Sequence, residues 1–204
     1  LQHVRPAHQD SPFICILDTG VNNGHPLLAS HLHNDDLHTI EPVWGAFDEQ
    51  GHGTEMAGIA LYGDLSESMA NLTPVNLTHH LESVKLLRNN GGNGDKHHGL
   101  ITVEAVSRPE ISVPDRKRVF SMAVTAKDNR DRGRPSAWSA TLDRLAVDYE
   151  NDNETPRLFV VSAGNVNDNA SWMQYPNSNT TDSIHDPSQA WNILTVGSFT
   201  EKID

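Results

Sequence analysis

Three stretches limit what this chain can fold into. Phe13-Ile14-Cys15-Ile16-Leu17 runs into Asp18-Thr19-Gly20. Gly51-His52-Gly53-Thr54-Glu55-Met56-Ala57-Gly58 opens a run with apolar residues at helical spacing. Val160-Val161 runs into Ser162-Ala163-Gly164-Asn165. Each stretch places an acid, an imidazole or an amide where an apolar run meets small, turn-forming residues. The first run offers no polar position to solvent, so it suits a strand buried on both faces. Such strands belong to parallel sheets covered by helices, and in those sheets functional groups collect beyond the carboxyl ends of the strands. Asp18 and Asn165 both stand just past an apolar run, which assigns them to that position.

The rest of the chain supplies the alternation that such a sheet needs. Residues 1–12 are polar, hold Pro6 and Pro12, and read as a lead-in; residues 22–42 are loop-like, with His25, Pro26, Asn34, Asp35, Asp36 and Pro42. Val43 to Phe47 is expected to be a second short strand. Met56, Ala57, Ile59, Ala60 and Leu61 make a helical apolar stripe that Gly63 stops. Residues 64–80 show no clear period. Glu82 to Leu87 reads as a strand, closed by the turn-rich segment from Asn89 to Gly94. A helix is expected over Leu100 to Val106, a strand over Val119 to Val124 and a charged loop from Asp128 to Pro135. Ser136 to Val147 reads as a helix with its N-cap at Pro135-Ser136. Leu158 to Val161 and Ile193 to Val196 complete the strands. Strands alternating with helices predict a single α/β domain over residues 1–204, a largely parallel sheet with helices on both faces.

Composition narrows the function classes. The net charge of −12 lacks the basic surface that non-specific nucleic-acid binding requires. No apolar run approaches the ~20 residues needed to span a bilayer. Cys15 is the single cysteine, so no internal disulfide can form, and its apolar setting suits a buried small hydrophobe. His31, His33 and the pairs His79-His80 and His97-His98 lack cysteine or carboxylate partners at ligand spacing and read as loop histidines. No His-Glu-x-x-His motif is present. Asn71, Asn76, Asn153, Asn169 and Asn179 begin Asn-x-Ser/Thr triplets, which arise readily by chance in an Asn-rich chain.

Singly, Asp-Thr-Gly and Ala-Gly-Asn would be turns after strands, and His52 one of 12 histidines. Together, in this order and rough spacing, Asp18-Thr19-Gly20, His52-Gly53-Thr54 and Ala163-Gly164-Asn165 resemble the subtilisin-like serine peptidases (peptidase S8). The resemblance implies a three-layer α/β fold and peptide-bond hydrolysis by an Asp-His-Ser triad with an asparagine in the oxyanion hole. Asp18 would orient the imidazole, His52 would act as base and Asn165 would donate to the oxyanion. Gly51 and Gly53 leave room around the ring, and a helix starting there would favour the neutral imidazole. Glu55 stands where the family often has a histidine. Met122, Ala123, Val124 and Thr125 match the family's edge segment that pairs with an extended peptide. Ser162, Ala163 and Gly164 match the opposite wall of the specificity pocket. Thr125-Ala126-Lys127 replaces the family's usual glycine pair, and Lys85 matches a structural strand.

The family's serine signature, Gly-Thr-Ser-x-Ala, is not in these 204 residues. Ser139 and Ser198 lack its context. The expectation is a C-terminally truncated catalytic domain, roughly its first two-thirds, inactive alone. Its partners would be a peptide or protein substrate and the rest of its own catalytic domain. A competing reading is a peptidase-like module that binds peptides without cutting them. The presence of Asp18, His52 and Asn165 together argues against it, since a binder needs none of the three. No cofactor or metal is required. Calcium often stabilises members of this family, but the loop after the His52 helix does not align with a family calcium loop, and calcium stays open. No signal peptide is visible, and the lone cysteine leans towards the bacterial cytoplasm.

Overall fold

The computed structural model describes residues 4–88, 93, 96–126, 134–166 and 169–198. The chain forms two compact units, Leu1–Met122 and Ala123–Asp204. The first contains β1 (Val4–Arg5), β2 (Phe13–Asp18), β3 (Leu37–Thr39), α1 (His52–Tyr62), α2 (Ser66–Asn71), β4 (Val75–Asn76), β5 (His80–Lys85), α3 (His98–Ser112) and β6 (Arg118–Met122). Four of its strands pair in the order β3-β5-β2-β6, all parallel. β1 and β4 make a separate two-residue parallel pair.

β2 is the apolar run read from the sequence; it is paired on both edges, and burial of both its faces explains its lack of polar positions. Cys15, Ile16 and Leu17 are fully buried; burial pushes the Cys15 thiol well above its usual range. Strand alternation sends Ile14 and Ile16 to one face and Cys15 and Leu17 to the other. On the first face α1 packs Ala57 and Leu61 against Ile16, Val21, Leu28 and Leu81. Burying a side chain such as Leu61 contributes about 1.5–3 kcal/mol. On the second face α3 turns Ile101, Ala105 and Val106 inward. Arg118 Nη2 on β6 fastens the end of α3 by donating to the carbonyls of Pro109 (2.8 Å) and Val113 (2.7 Å).

A buried carboxylate ties this layer together. Glu82, wholly buried on β5 beside Cys15, accepts from Arg118 Nε at 2.6 Å and from Arg116 Nη1 at 2.6 Å. Arg116 also pairs with Asp36 and lies 4.1 Å over the Phe13 ring.

The second unit contains α4 (Ala137–Ala146), β7 (Leu158–Ser162), α5 (Asn169–Met173) and β8 (Leu194–Val196), with β7 and β8 parallel. α4 is capped as its sequence predicts. Ser136 Oγ accepts from the Ser139 amide at 2.9 Å and Ser139 Oγ from the Ser136 amide at 2.8 Å. This reciprocal box commits Ser139 to the helix. α4 buries Trp138, Leu142 and Ala146. The loop after it is held by Asp148, which accepts from the Thr155 hydroxyl at 2.6 Å and from Arg157 Nη1 at 2.9 Å.

Several sequence expectations need correction. Val43 to Phe47 is no strand: Pro42–Trp44 forms a 3-10 turn and Val43 is exposed. Pro42 has no N–H to give a ladder, and the strand lies earlier, at Leu37–Thr39, inside the expected loop. Ile59 of the predicted stripe faces solvent; Gly53, Ala57 and Leu61 are the buried positions of α1. α3 starts two residues before its predicted span and runs six residues beyond it. α2, β4 and α5 had no period to announce them. The expected turn from Asn89 to Gly94 and loop from Asp128 to Pro135 fall largely outside the described residues.

Two predictions follow from the buried charges. Glu82→Ala leaves two guanidinium groups without their shared acceptor and should lower the unfolding free energy by about 3–5 kcal/mol in urea titrations. For Asp148, the Thr155 hydroxyl lowers the carboxyl pKa, burial opposes it, and Arg157 and the Thr155 amide add to the lowering, leaving it far below the usual carboxylate range. The unfolded chain therefore takes up protons first on acidification. The stabilisation is present above the ordinary aspartate pKa and is lost as pH falls towards the depressed value. Asp148→Asn should flatten this acid limb of a stability-against-pH curve.

Candidate active site

Asp18 is the last residue of β2 and is 1% exposed. Its strand neighbour in register is Lys85 of β5, also buried. The Asp18 carbonyl accepts the Leu86 amide at 2.9 Å, so the sheet pins the backbone beneath the acid. Asp18 Oδ1 lies 2.8 Å from His52 Nδ1, the first residue of α1. A carboxylate can only accept, so Nδ1 carries the proton, and in the neutral ring Nε2 is left as an acceptor. The His52 side chain is 49% exposed, which gives the ring an open side. Thr19 N–H also donates to Oδ1 at 2.8 Å. Asp18 Oδ2 is buried without a hydrogen-bond partner among the described residues.

The approach of α1 to this strand end is sterically exacting. A Cβ on Gly53 would fall 2.1 Å from the Gly20 carbonyl oxygen and 3.2 Å from Asp18 Cβ. Only a glycine lets the first turn of the helix lie against the Asp-Thr-Gly turn. Thr19 Oγ1 receives the Gly53 amide at 3.1 Å. The helix N-cap, Gly51, has no side chain to cap with, and Asp48 takes over. Its Oδ1 accepts the amides of Gln50 and Gly51, and its Oδ2 accepts the amide and hydroxyl of Thr54. Lys85 Nζ holds the preceding carbonyl, Phe47 O, at 2.8 Å and lies 3.8 Å from Glu49. Asp48 escaped the sequence reading; an Asx residue just ahead of a Gly-capped helix was the available signal. Glu55 is exposed on the first turn of α1 and lines a cavity of about 730 Å³ together with His25, Leu27, Gln50 and Thr54.

The other sequence-derived positions lie farther along. Met122 ends β6 and is buried, and Ala123, Val124 and Thr125 follow it half-buried. Ala126 then makes an antiparallel bridge with Asp186. Ser162 ends β7, Ala163 N–H donates to Val196 O at 2.8 Å, and Asn165 is exposed beyond Gly164. Gly164 has φ +106°, and a Cβ there would fall 2.4 Å from Cγ of His185, whose amide donates to Ala163 O at 2.9 Å. His185 thus packs against the Ser162–Gly164 segment, a neighbour that sequence spacing does not reveal.

The paired histidines have other employment. His79 Nε2 contacts Ala60 O at 2.8 Å and His80 Nε2 contacts His8 O at 2.9 Å. Among the described residues no group of three or more His, Cys, Asp and Glu stands together as metal ligands. Nor does any described helix have the length and apolarity to cross a membrane.

The subtilase family profile (Peptidase S8) matches residues 9–203, and the chain belongs to this family of serine peptidases. No curated protein matches the sequence. Among solved structures, the S41 psychrophilic protease is similar with a TM-score of 0.59 and 20% identity, over 98% of this chain and 57% of its own. The epidermin leader peptide processing serine protease EpiP of Staphylococcus aureus gives 0.55 and 18%, over 94% of this chain and 47% of its own. The subtilisin-like protease Apa1 of the Antarctic psychrotroph Pseudoalteromonas sp. AS-11 gives 0.54 and 15%, over 90% and 35%. At these identities the likeness is one of fold. The chain spans 57% of the length of the first of these relatives and less of the others.

Gly53 and Gly58 make a paired test of this packing, since nothing lies within 4 Å of a Cβ built on Gly58. Gly53→Ala should lower stability by about 1–3 kcal/mol through overpacking. Gly58→Ala, in the same helix, should raise it by about 0.5–1 kcal/mol. Thermal unfolding of the two variants, read for opposite signs, checks this.

Proposed function

We propose that this chain carries the acid, the base and the oxyanion donor of a serine endopeptidase. The observation that carries the reading is the 2.8 Å contact between the buried Asp18 carboxylate and Nδ1 of the half-exposed His52. In the proposed reaction His52 Nε2 takes the proton of a serine hydroxyl as its oxygen bonds to the scissile carbonyl carbon. Asp18 keeps the ring in the required tautomer and stabilises the imidazolium that forms. The Asn165 side-chain N–H and the serine's own amide hold the oxyanion. His52 then gives its proton to the leaving amine as the C–N bond breaks, and water repeats the sequence on the acyl-enzyme, releasing the acid and restoring the serine. No step calls for a metal or an organic cofactor.

The substrate would be a peptide or protein, with Met122 to Thr125 and Ser162 to Gly164 as the segments that contact it. The nucleophile would come from the rest of the catalytic domain, because Gly-Thr-Ser-x-Ala is not within these residues. The large exposed side chains Leu158, Trp191, Leu194 and Val196 in the second unit favour this reading, as they offer an apolar surface for further polypeptide.

A fluorophosphonate probe tests it. The 204-residue chain should not be labelled, whereas the intact protein should be, and His52→Ala should abolish that labelling. Asn165→Ala in the intact protein should reduce kcat by about 10²–10³-fold, a magnitude carried over from this family's asparagine. Labelling of the 204-residue chain at the intact protein's rate would refute the account of the nucleophile.

A further inference from the structure

The chemistry proposed above makes no use of Asp48, yet Asp48 gathers donors from both halves of the acid–base pair. Its Oδ1 accepts from the amides of Gln50 at 2.9 Å and Gly51 at 3.0 Å, and from the Thr19 hydroxyl at 3.0 Å. Its Oδ2 accepts from the amide and the hydroxyl of Thr54, both at 2.8 Å. Five donors on two oxygens fill the capacity of a carboxylate. Burial on its own would raise the Asp48 pKa, but the bonds from Thr54, Gln50 and Gly51 outweigh it and hold the group below the usual range.

The origin of the donors matters more than their number. Gln50, Gly51 and Thr54 flank His52, whereas Thr19 bonds Asp18 Oδ1 through its own amide at 2.8 Å, and its hydroxyl lies between Asp48 Oδ1 at 3.0 Å and Asp18 Oδ1 at 3.2 Å. An ordinary cap serves one helix, satisfying an amide or two of its first turn. Asp48 also reaches across 29 residues of sequence to the turn that follows β2. The Thr19 hydroxyl in turn receives the Gly53 amide. Behind Asp48, Lys85 holds the Phe47 carbonyl, and Lys85 is the residue paired in register with Asp18. Asp18, Thr19, Asp48, Phe47, Lys85 and Leu86 therefore close a ring of covalent and hydrogen-bonded links beside His52.

We propose that Asp48 is a positioning residue. Acting through Thr19 and the first turn of α1, it sets the Asp18–His52 distance and the orientation of the ring. The proposal rests on the reading of Asp18 and His52 as a catalytic pair. An asparagine at 48 keeps the shape but turns a donor amide towards groups that are themselves donors. A helix cap alone would cost only stability when weakened. A positioning residue must also disturb the bond between the two partners.

The test reads that bond directly, by NMR of the intact protein labelled with ¹⁵N at histidine. The Nδ1–H resonance of His52 is identified by its loss in His52→Ala. Asp48→Asn should remove it or move it upfield. With a peptide substrate the same variant should lower kcat by on the order of 10²-fold at nearly constant KM, as expected when a reacting group is displaced by about 1 Å. Thr19→Val cuts the link to Asp48, and with it the hydroxyl's contact to Asp18 Oδ1 and its acceptance of the Gly53 amide, while leaving the Gln50, Gly51 and Thr54 amides on Asp48, and should move the resonance in the same way. It decides the matter if Asp48→Asn does not fold. Leu61→Ala, which loosens the buried end of the same helix, should lower Tm and leave the resonance unmoved. The proposal is overturned if Asp48→Asn or Thr19→Val lowers Tm while resonance and kcat stay at wild-type values. A wild-type protein with the resonance and no peptidase activity would remove the functional reading, while the resonances of the variants would still decide the role of Asp48.

Discussion

A carboxylate taken out of water must be met by donors, or its burial costs several kcal/mol. Asp18 sets that condition for the first unit. The sheet supplies the rigid floor: the Asp18 carbonyl is bonded by the Leu86 amide, and the residue is paired with Lys85. The turn supplies the Thr19 amide and hydroxyl to Oδ1, and α1 supplies His52 Nδ1. A surface aspartate would satisfy itself with water and hold an imidazole loosely. This one has little water to turn to, so the ring becomes part of its solvation.

The same sheet carries a second buried acid with the opposite outcome. Glu82 lies three residues before Lys85 on β5 and is met by two guanidinium groups through short bonds. That charge is neutralised by permanent cations, and its part is to hold β5, β6 and the end of α3 together. Asp18 instead meets a backbone amide and an imidazole that can gain or lose a proton. Compensation by a fixed cation makes a structural joint. Compensation by a titratable ring leaves a pair able to move a proton.

Much of this was legible in the residues. The unbroken apolar run Phe13–Leu17 announced a strand buried on both faces, and it is an interior strand with a partner on each edge. Ser136 announced a helix cap and makes one. Asp18 and His52, 34 residues apart, meet as the resemblance to the subtilisin-like peptidases implied. What stayed hidden depends on contacts that no period encodes. β3 is three residues long, too short for alternation to register, and exists because β5 offers it an edge. Ile59 fits an apolar count yet points away from the side of α1 fixed by Gly53, Ala57 and Leu61. Asp48 and His185 owe their places to chain that returns from elsewhere, and local composition does not distinguish them from other loop residues.

The links described around the Asp18–His52 pair all come from residues 18 to 86. Made on a ribosome, from the amino end onward, such a chain has every part of its proton-handling pair outside the tunnel while Asn165 has yet to be added. A nascent protein of this design can close the Asp18–His52 contact within its first unit before the segment that carries Asn165 exists.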